Sequence, residues 1–134
     1  MHERRIEIRW GDQDAYAHVY HPVYLTYMEA ARDQWFGRVF ELNSRVWDYV
    51  VARVTIDYRG ALELADGAAV VRCRLLRIGR SSFTTREQVL APDGRTASEA
   101  EVVIVAWDPS TGASRPLSDA ERAALERELE RVTA

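Results

Sequence analysis

The sequence predicts an α+β fold in which one long helix packs on a five-stranded antiparallel sheet and a shorter helix follows at the C-terminal end. Three observations carry this. Tyr24, Tyr27, Met28, Ala31 and Trp35 recur at three- and four-residue steps, the spacing of one apolar helix face. Five segments have the length and residue preference of strands, with polar and apolar positions alternating in the clearest of them. "SDAE" at 118–121 has the form of a capping box ahead of Leu125, Leu129 and Val132, a second and shorter apolar stripe.

The first strand is "RRIEIRW", which places Ile6 and Ile8 on one face. The long helix starts near Pro22, whose missing N–H suits a first turn, and reaches about Val39. In "YVVARVTIDYRG" Ala52, Val54, Ile56 and Tyr58 alternate with Arg53, Thr55, Asp57 and Arg59, a strand with one covered face. "GAAVVRCRLLRIG", "SSFTTREQVLA" and "TASEAEVVIVAW" follow, divided by "GRS" and the hairpin signal "PDGR", so the four strands read as a meander. Residues 102–107 are apolar on both faces, which puts them in the middle of the sheet or against another subunit, and "PSTG" ends that strand. One helix covers only one sheet face, so a homodimer or homotetramer is expected.

At 134 residues the chain fits a single domain, 1–134, with one core. No apolar run is long enough for a membrane span and no secretory signal opens the chain, so a cytoplasmic protein is expected. Its one cysteine, Cys73, lies in an apolar strand pattern and reads as core; neither a disulfide nor a cysteine zinc framework follows from it. A net charge of −3 argues against nucleic acid as partner. Every basic residue is arginine, the better partner for phosphate.

Chemistry concentrates in "GDQDAYAHVYHPVY", directly before the long helix. A helix N-terminus offers unpaired N–H groups and the positive end of a dipole, which keeps a carboxylate charged and can hold a developing oxyanion. Asp14 is the candidate nucleophile or general base there, His18 and His21 candidate proton-transfer groups, and Asp12 a turn or supporting residue. The competing reading is structural: aspartates form turns and caps, and histidines among Tyr16 and Tyr20 pack and hydrogen-bond. A metal held by Asp12, Asp14, His18 and His21 ranks lowest, because their spacing matches no metal signature.

"GDQDAYAHVYHPVYLTYMEAAR" at 11–32 resembles the opening of the hot-dog-fold acyl-CoA thioesterases of the 4-hydroxybenzoyl-CoA thioesterase class, close to their Tol-Pal-associated branch. Asp12 and Asp14 match the acidic pair, His18, Tyr20 and His21 the turn, Tyr24 the helix start, and Glu29 and Arg32 the helix. "YRGALELADGAAVVRCRLLRIGRSSF" and "RPLSD" are similar to later parts of the family pattern. The resemblance implies a hot-dog fold and metal-free hydrolysis of an acyl-CoA or acyl carrier protein thioester without a cofactor beyond the coenzyme A of the substrate. It implies Asp14 as nucleophile or base, and the His21 N–H as the group that polarises the carbonyl, with sites at a subunit boundary. Tyr24, Arg77, Arg80, Ser81 and Ser82 are the implied substrate contacts, with Arg72, Arg74 and Arg86 as further phosphate candidates. One departure stands out: Tyr16 and Ala17 occupy the place of the usual turn glycine. The alternatives are a hot-dog hydratase or dehydratase acting on enoyl or 3-hydroxyacyl thioesters, and a non-catalytic acyl-thioester binding protein.

Overall fold

The structure is a computed structural model and describes residues 1–41 and 48–133. The chain runs β1 (His2–Glu7), a 3-10 turn at Trp10–Asp12, α1 (His21–Val39), β2 (Tyr49–Tyr58) and a second 3-10 turn at Leu64–Asp66. It continues through β3 (Ala68–Ile78), β4 (Ser82–Leu90), β5 (Thr96–Asp108), the two-residue β6 (Ala113–Ser114) and α2 (Asp119–Thr133). Five antiparallel strands lie side by side in the order β1-β3-β4-β5-β2, and β6 pairs with the end of β5. One long helix, an antiparallel sheet and a C-terminal helix make the arrangement expected of a hot-dog fold.

The expected meander holds for β3, β4 and β5, whose connections are tight, but β2 departs from it. It pairs with β5 at the sheet edge, while β1 takes the place beside β3. The physical reason lies in the connection: residues 59–67 are too long for a tight hairpin and include the 3-10 turn Leu64–Asp66, so the chain crosses to the other side of the sheet. A register break between Val51 and Arg53 also takes Ala52 out of the inward row; Val51, Val54, Ile56 and Tyr58 pair opposite the inward residues Ile104, Val102, Ala100 and Ser98. "PSTG" turns the chain back into β6 instead of only ending β5.

The α1 stripe is the centre of the core. Tyr24, Tyr27, Met28, Ala31, Trp35 and Phe36 are buried against Val71, Cys73, Leu75, Phe83, Val89, Val102 and Ile104 of the sheet. Beneath it lies a charged pair, Arg32 to Glu87 at 2.7 Å, and the Thr85 hydroxyl donates to the second Glu87 oxygen at 2.7 Å. Glu128 of α2 ties the two helices together, accepting from Trp35 Nε1 and from Arg38, both at 2.9 Å. Leu125 is buried and Leu129 packs against the core; the Val132 side chain lies outside the described residues.

The capping box forms as expected: the Glu121 N–H donates to Ser118 Oγ and the Ser118 N–H to Glu121 Oε1, at 3.1 and 2.8 Å. Arg115 and the Tyr49 hydroxyl bind the same carboxylate. Burial raises the Glu121 pKa, but the donors of Arg115, Tyr49 and Ser118 outweigh it and hold the group at about 2, against an ordinary 4.5. A depressed folded-state pKa gives stability that is complete above the ordinary value and fades as pH falls from about 4.5 toward 2. Glu121→Gln is therefore expected to lose about 1–3 kcal/mol at pH 7. Denaturant unfolding as a function of pH should show this difference from wild type shrinking toward pH 2.

Candidate active site

The acidic turn is built on Asp12. This buried carboxylate accepts the Arg9 N–H (2.9 Å), the Tyr27 hydroxyl (2.7 Å) and the Arg9 guanidinium (3.1 Å). Burial raises its pKa, but these donors prevail and hold the acid below its ordinary value. Its carbonyl also accepts the Tyr20 N–H at 2.8 Å, which fixes the entry to α1. Asp12 thus has the supporting role its sequence context suggests.

Between Asp12 and Tyr20 the chain folds into a short loop closed by a bridge between Gln13 and Val19. The Asp14 N–H donates to the His18 carbonyl at 2.8 Å, and the Ala17 N–H to the Asp14 carbonyl at 3.2 Å. Asp14 Oδ1 accepts the N–H groups of Tyr16 (2.8 Å) and His18 (3.3 Å), the pattern of an aspartate turn. No hydrogen bond to Oδ2 occurs among the described residues. The side chain is half-buried at the edge of a cavity of about 280 Å³ lined by Trp10, Gly11, Gln13, Asp14, Ala15 and Ala17. One Asp14 oxygen builds the turn, and the other accepts no hydrogen bond among the described residues.

Ala17 adopts φ 63°, so the left-handed conformation of the turn persists without glycine. That conformation costs an L residue about 1–2 kcal/mol, partly offset by the smaller chain entropy of alanine in the unfolded state. Ala17→Gly is expected to stabilise the protein by about 0.5–1 kcal/mol, read as a higher denaturant midpoint at unchanged slope. Tyr16, next to it, is 81% exposed.

At the start of α1 the donors reduce to one. Tyr20 gives its N–H to Asp12, Pro22 has none, and Val23 gives its N–H to the Tyr20 carbonyl at 2.8 Å. The His21 N–H has no acceptor among the described residues, and it sits at the positive end of a 19-residue helix. The His21 imidazole packs edge-on between Tyr20 and Tyr58, with centroids at 5.0 and 5.8 Å. His18 contributes its main chain to the Asp14 turn, while its Nε2 lies 3.8 Å from Glu63. Among the described residues no three or more His, Cys, Asp or Glu side chains are placed to hold a metal, and Asp12 is already filled by donors.

The profile of the thioesterase-like superfamily matches residues 8–125. The chain belongs to this superfamily. It is 27% identical over 131 residues to the long-chain acyl-CoA thioesterase FadM of Escherichia coli K12, covering 93% of this chain and 97% of that protein. A Thermus thermophilus thioesterase, crystallised with coenzyme A and zinc, is 31% identical and covers 97% of this chain and 95% of its own, with a TM-score of 0.85. PA2801 of Pseudomonas aeruginosa, described as a putative thioesterase, is 28% identical over 92% of this chain and 97% of its own, with a TM-score of 0.81. As a member of the thioesterase-like superfamily, the protein is a thioester hydrolase.

The structure keeps Tyr24 within electrostatic reach of Asp14 and separates the arginine and serine candidates from it. Tyr24 is buried; the Leu62 N–H donates to its hydroxyl at 3.1 Å, and the hydroxyl reaches the Gly60 carbonyl at 3.5 Å. It anchors the helix start to the loop after β2. Arg77, Arg80, Ser81 and Ser82 lie at the far end of β3, where Arg80 and Ser81 carbonyls accept the Leu117 and Ala106 N–H groups at 3.0 and 2.8 Å. The Asp14 loop lies at the opposite end, joined to residues just before β3 by Val19 N–H to Leu62 C=O at 2.8 Å. The eleven residues of β3 separate the two groups, roughly 30 Å of extended chain. Arg72, Arg77 and Arg86 also have carboxylate partners, Glu3, Glu101 and Glu99, at 2.8, 3.8 and 3.3 Å. A second, larger groove of about 420 Å³ runs between α1 and β2, lined chiefly by Glu29, Asp33, Phe36, Tyr49, Val51 and Ile104. Phe36 and Tyr49 are thus both core and groove wall. Sequence reasoning missed Tyr58, whose hydroxyl donates to the His21 carbonyl at 3.0 Å; its alternation read only as an inward strand residue.

Proposed function

We propose that the protein hydrolyses acyl-CoA thioesters at Asp14 and the start of α1. The observation that carries this reading is Asp14 itself, a side chain lining a cavity with one oxygen held by the turn and the other without a hydrogen bond among the described residues, in the loop that leads into a helix whose first residue keeps its N–H without an acceptor among those residues. The thioester oxygen accepts the His21 N–H, and the helix dipole stabilises the charge that develops there. Asp14 then either attacks the carbonyl carbon, expelling thiolate and leaving an anhydride that water hydrolyses, or takes a proton from the water that attacks. Both routes end in a carboxylic acid and free coenzyme A. FadM, named for long-chain acyl-CoA, supports the choice of thioester.

The reading includes a second copy of the chain. β2 is a sheet edge with Val50, Val51 and Val54 each about two-fifths exposed, at 37%, 47% and 37%. Two such edges paired antiparallel about a twofold axis set the Tyr49 end of one beside the Tyr58 end of the other. The acyl chain then enters the α1–β2 groove of the partner, and the partner's Arg77–Ser82 turn approaches the coenzyme end of the substrate. The test is thiol release from short, long, branched and aromatic acyl-CoA and acyl carrier protein thioesters, with enoyl absorbance followed in parallel. Thiol release from at least one thioester is expected; hydration without release, or tight binding without turnover, would overturn the reading.

A further inference from the structure

We propose that Tyr58 is a positioning residue for thioester hydrolysis, holding the helix-terminal residue whose N–H receives the carbonyl oxygen. The inference rests on the thioesterase reading above. The Tyr58 hydroxyl donates to the His21 carbonyl at 3.0 Å, and the ring meets the imidazole edge-on at 5.8 Å. Tyr58 also packs on Tyr24 at 5.3 Å, and Tyr24 is itself bonded to the Leu62 N–H at 3.1 Å. A chain of contacts therefore runs from the end of β2 to the first residue of α1.

The covalent layout explains why that contact matters. The His21 N–H belongs to the peptide between residues 20 and 21, which is held from its other end by the Val23 N–H on the Tyr20 carbonyl. The next peptide ends on Pro22 and has no N–H, so its carbonyl is the only polar group by which the surroundings can hold it. Tyr58 adds a second donor to that carbonyl, which also accepts the helix bond from the Leu25 N–H, so the plane after the His21 Cα is tied to the sheet as well as to α1. An oxyanion donor works through its placement, and a displacement of an ångström is enough to weaken it.

Tyr58 is 43% exposed, so its hydroxyl adds little to the core. Burial and the neighbouring Tyr24 push its phenol above the ordinary range, which keeps the proton on the donor at neutral pH. Tyr58→Phe preserves both ring contacts and removes one hydroxyl. With an acyl-CoA that the wild type hydrolyses, it is expected to lower kcat about 3- to 10-fold with KM changed less than about twofold. Melting temperature and sedimentation should match wild type. An unchanged kcat, a loss confined to KM, or a fall in kcat accompanied by lower melting temperature or altered assembly would overturn the role of Tyr58 alone. A wild type that releases no thiol from any thioester overturns the thioesterase reading, and this inference with it.

Discussion

Asp14→Asn is expected to reduce thiol release by about 10²- to 10⁴-fold while leaving the melting temperature close to wild type. The two halves of this expectation have separate causes. Asparagine keeps a side-chain oxygen at Oδ1, so the bonds from the Tyr16 and His18 N–H groups at 2.8 and 3.3 Å survive and the turn folds as before. What disappears is the negative charge of a side chain that lines the cavity, and an amide neither attacks a thioester nor accepts a proton from water. Steady-state hydrolysis and thermal unfolding measured on the same preparation decide the matter. Near-wild-type turnover would remove Asp14 from the chemistry and return it to a turn-forming role. Single turnover in isotopically labelled water adds a positive test, since labelled oxygen enters Asp14 only by the anhydride route, when water attacks the Asp14 carbonyl of the anhydride.

The buried pair under α1 should behave in the opposite way. Arg32 and Glu87 meet at 2.7 Å with side-chain exposures of 8% and 0%. Burial pushes the Glu87 carboxyl up, against the pull of Arg32 and Thr85. Removing either partner leaves the other charge buried and alone, so Glu87→Ala and Arg32→Ala are each expected to cost about 3–5 kcal/mol. That is a large share of the roughly 5–15 kcal/mol that holds a domain of this size together. Replacing both at once, Arg32→Met with Glu87→Leu, removes the unpaired charge and should recover most of the loss. Urea or guanidinium unfolding of the two single variants and the double variant measures the coupling. Additive losses would show that the pair does not act as a unit.

Much of the candidate site was legible because it is local. An acidic turn, a proline and an apolar stripe at helical spacing occupy one run of the chain, and the bonds that shape the Asp14 loop join residues within eight positions of each other. The capping box at 118–121 is local in the same sense. Glu87 carried a weaker signal: with Thr85 it is polar on the covered face of β4, a pattern that marks a buried network but not its partner. Tyr58 carried none, because its hydroxyl acts 37 residues away from its place in the chain.

By itself the sequence determined the element types, the long helix and its buried face, the place of Asp14 and His21 at the helix start, and the membership that their pattern implies. Only the tertiary structure decided that β2 crosses to the sheet edge, that Arg32 finds Glu87, that Tyr58 reaches His21, and that the arginine-bearing turn lies at the opposite end of β3 from Asp14. The division follows from the interactions concerned. Periodicity, caps and turns depend on residues a few positions apart, whereas strand order and buried pairs depend on which distant segments win the competition to cover one another.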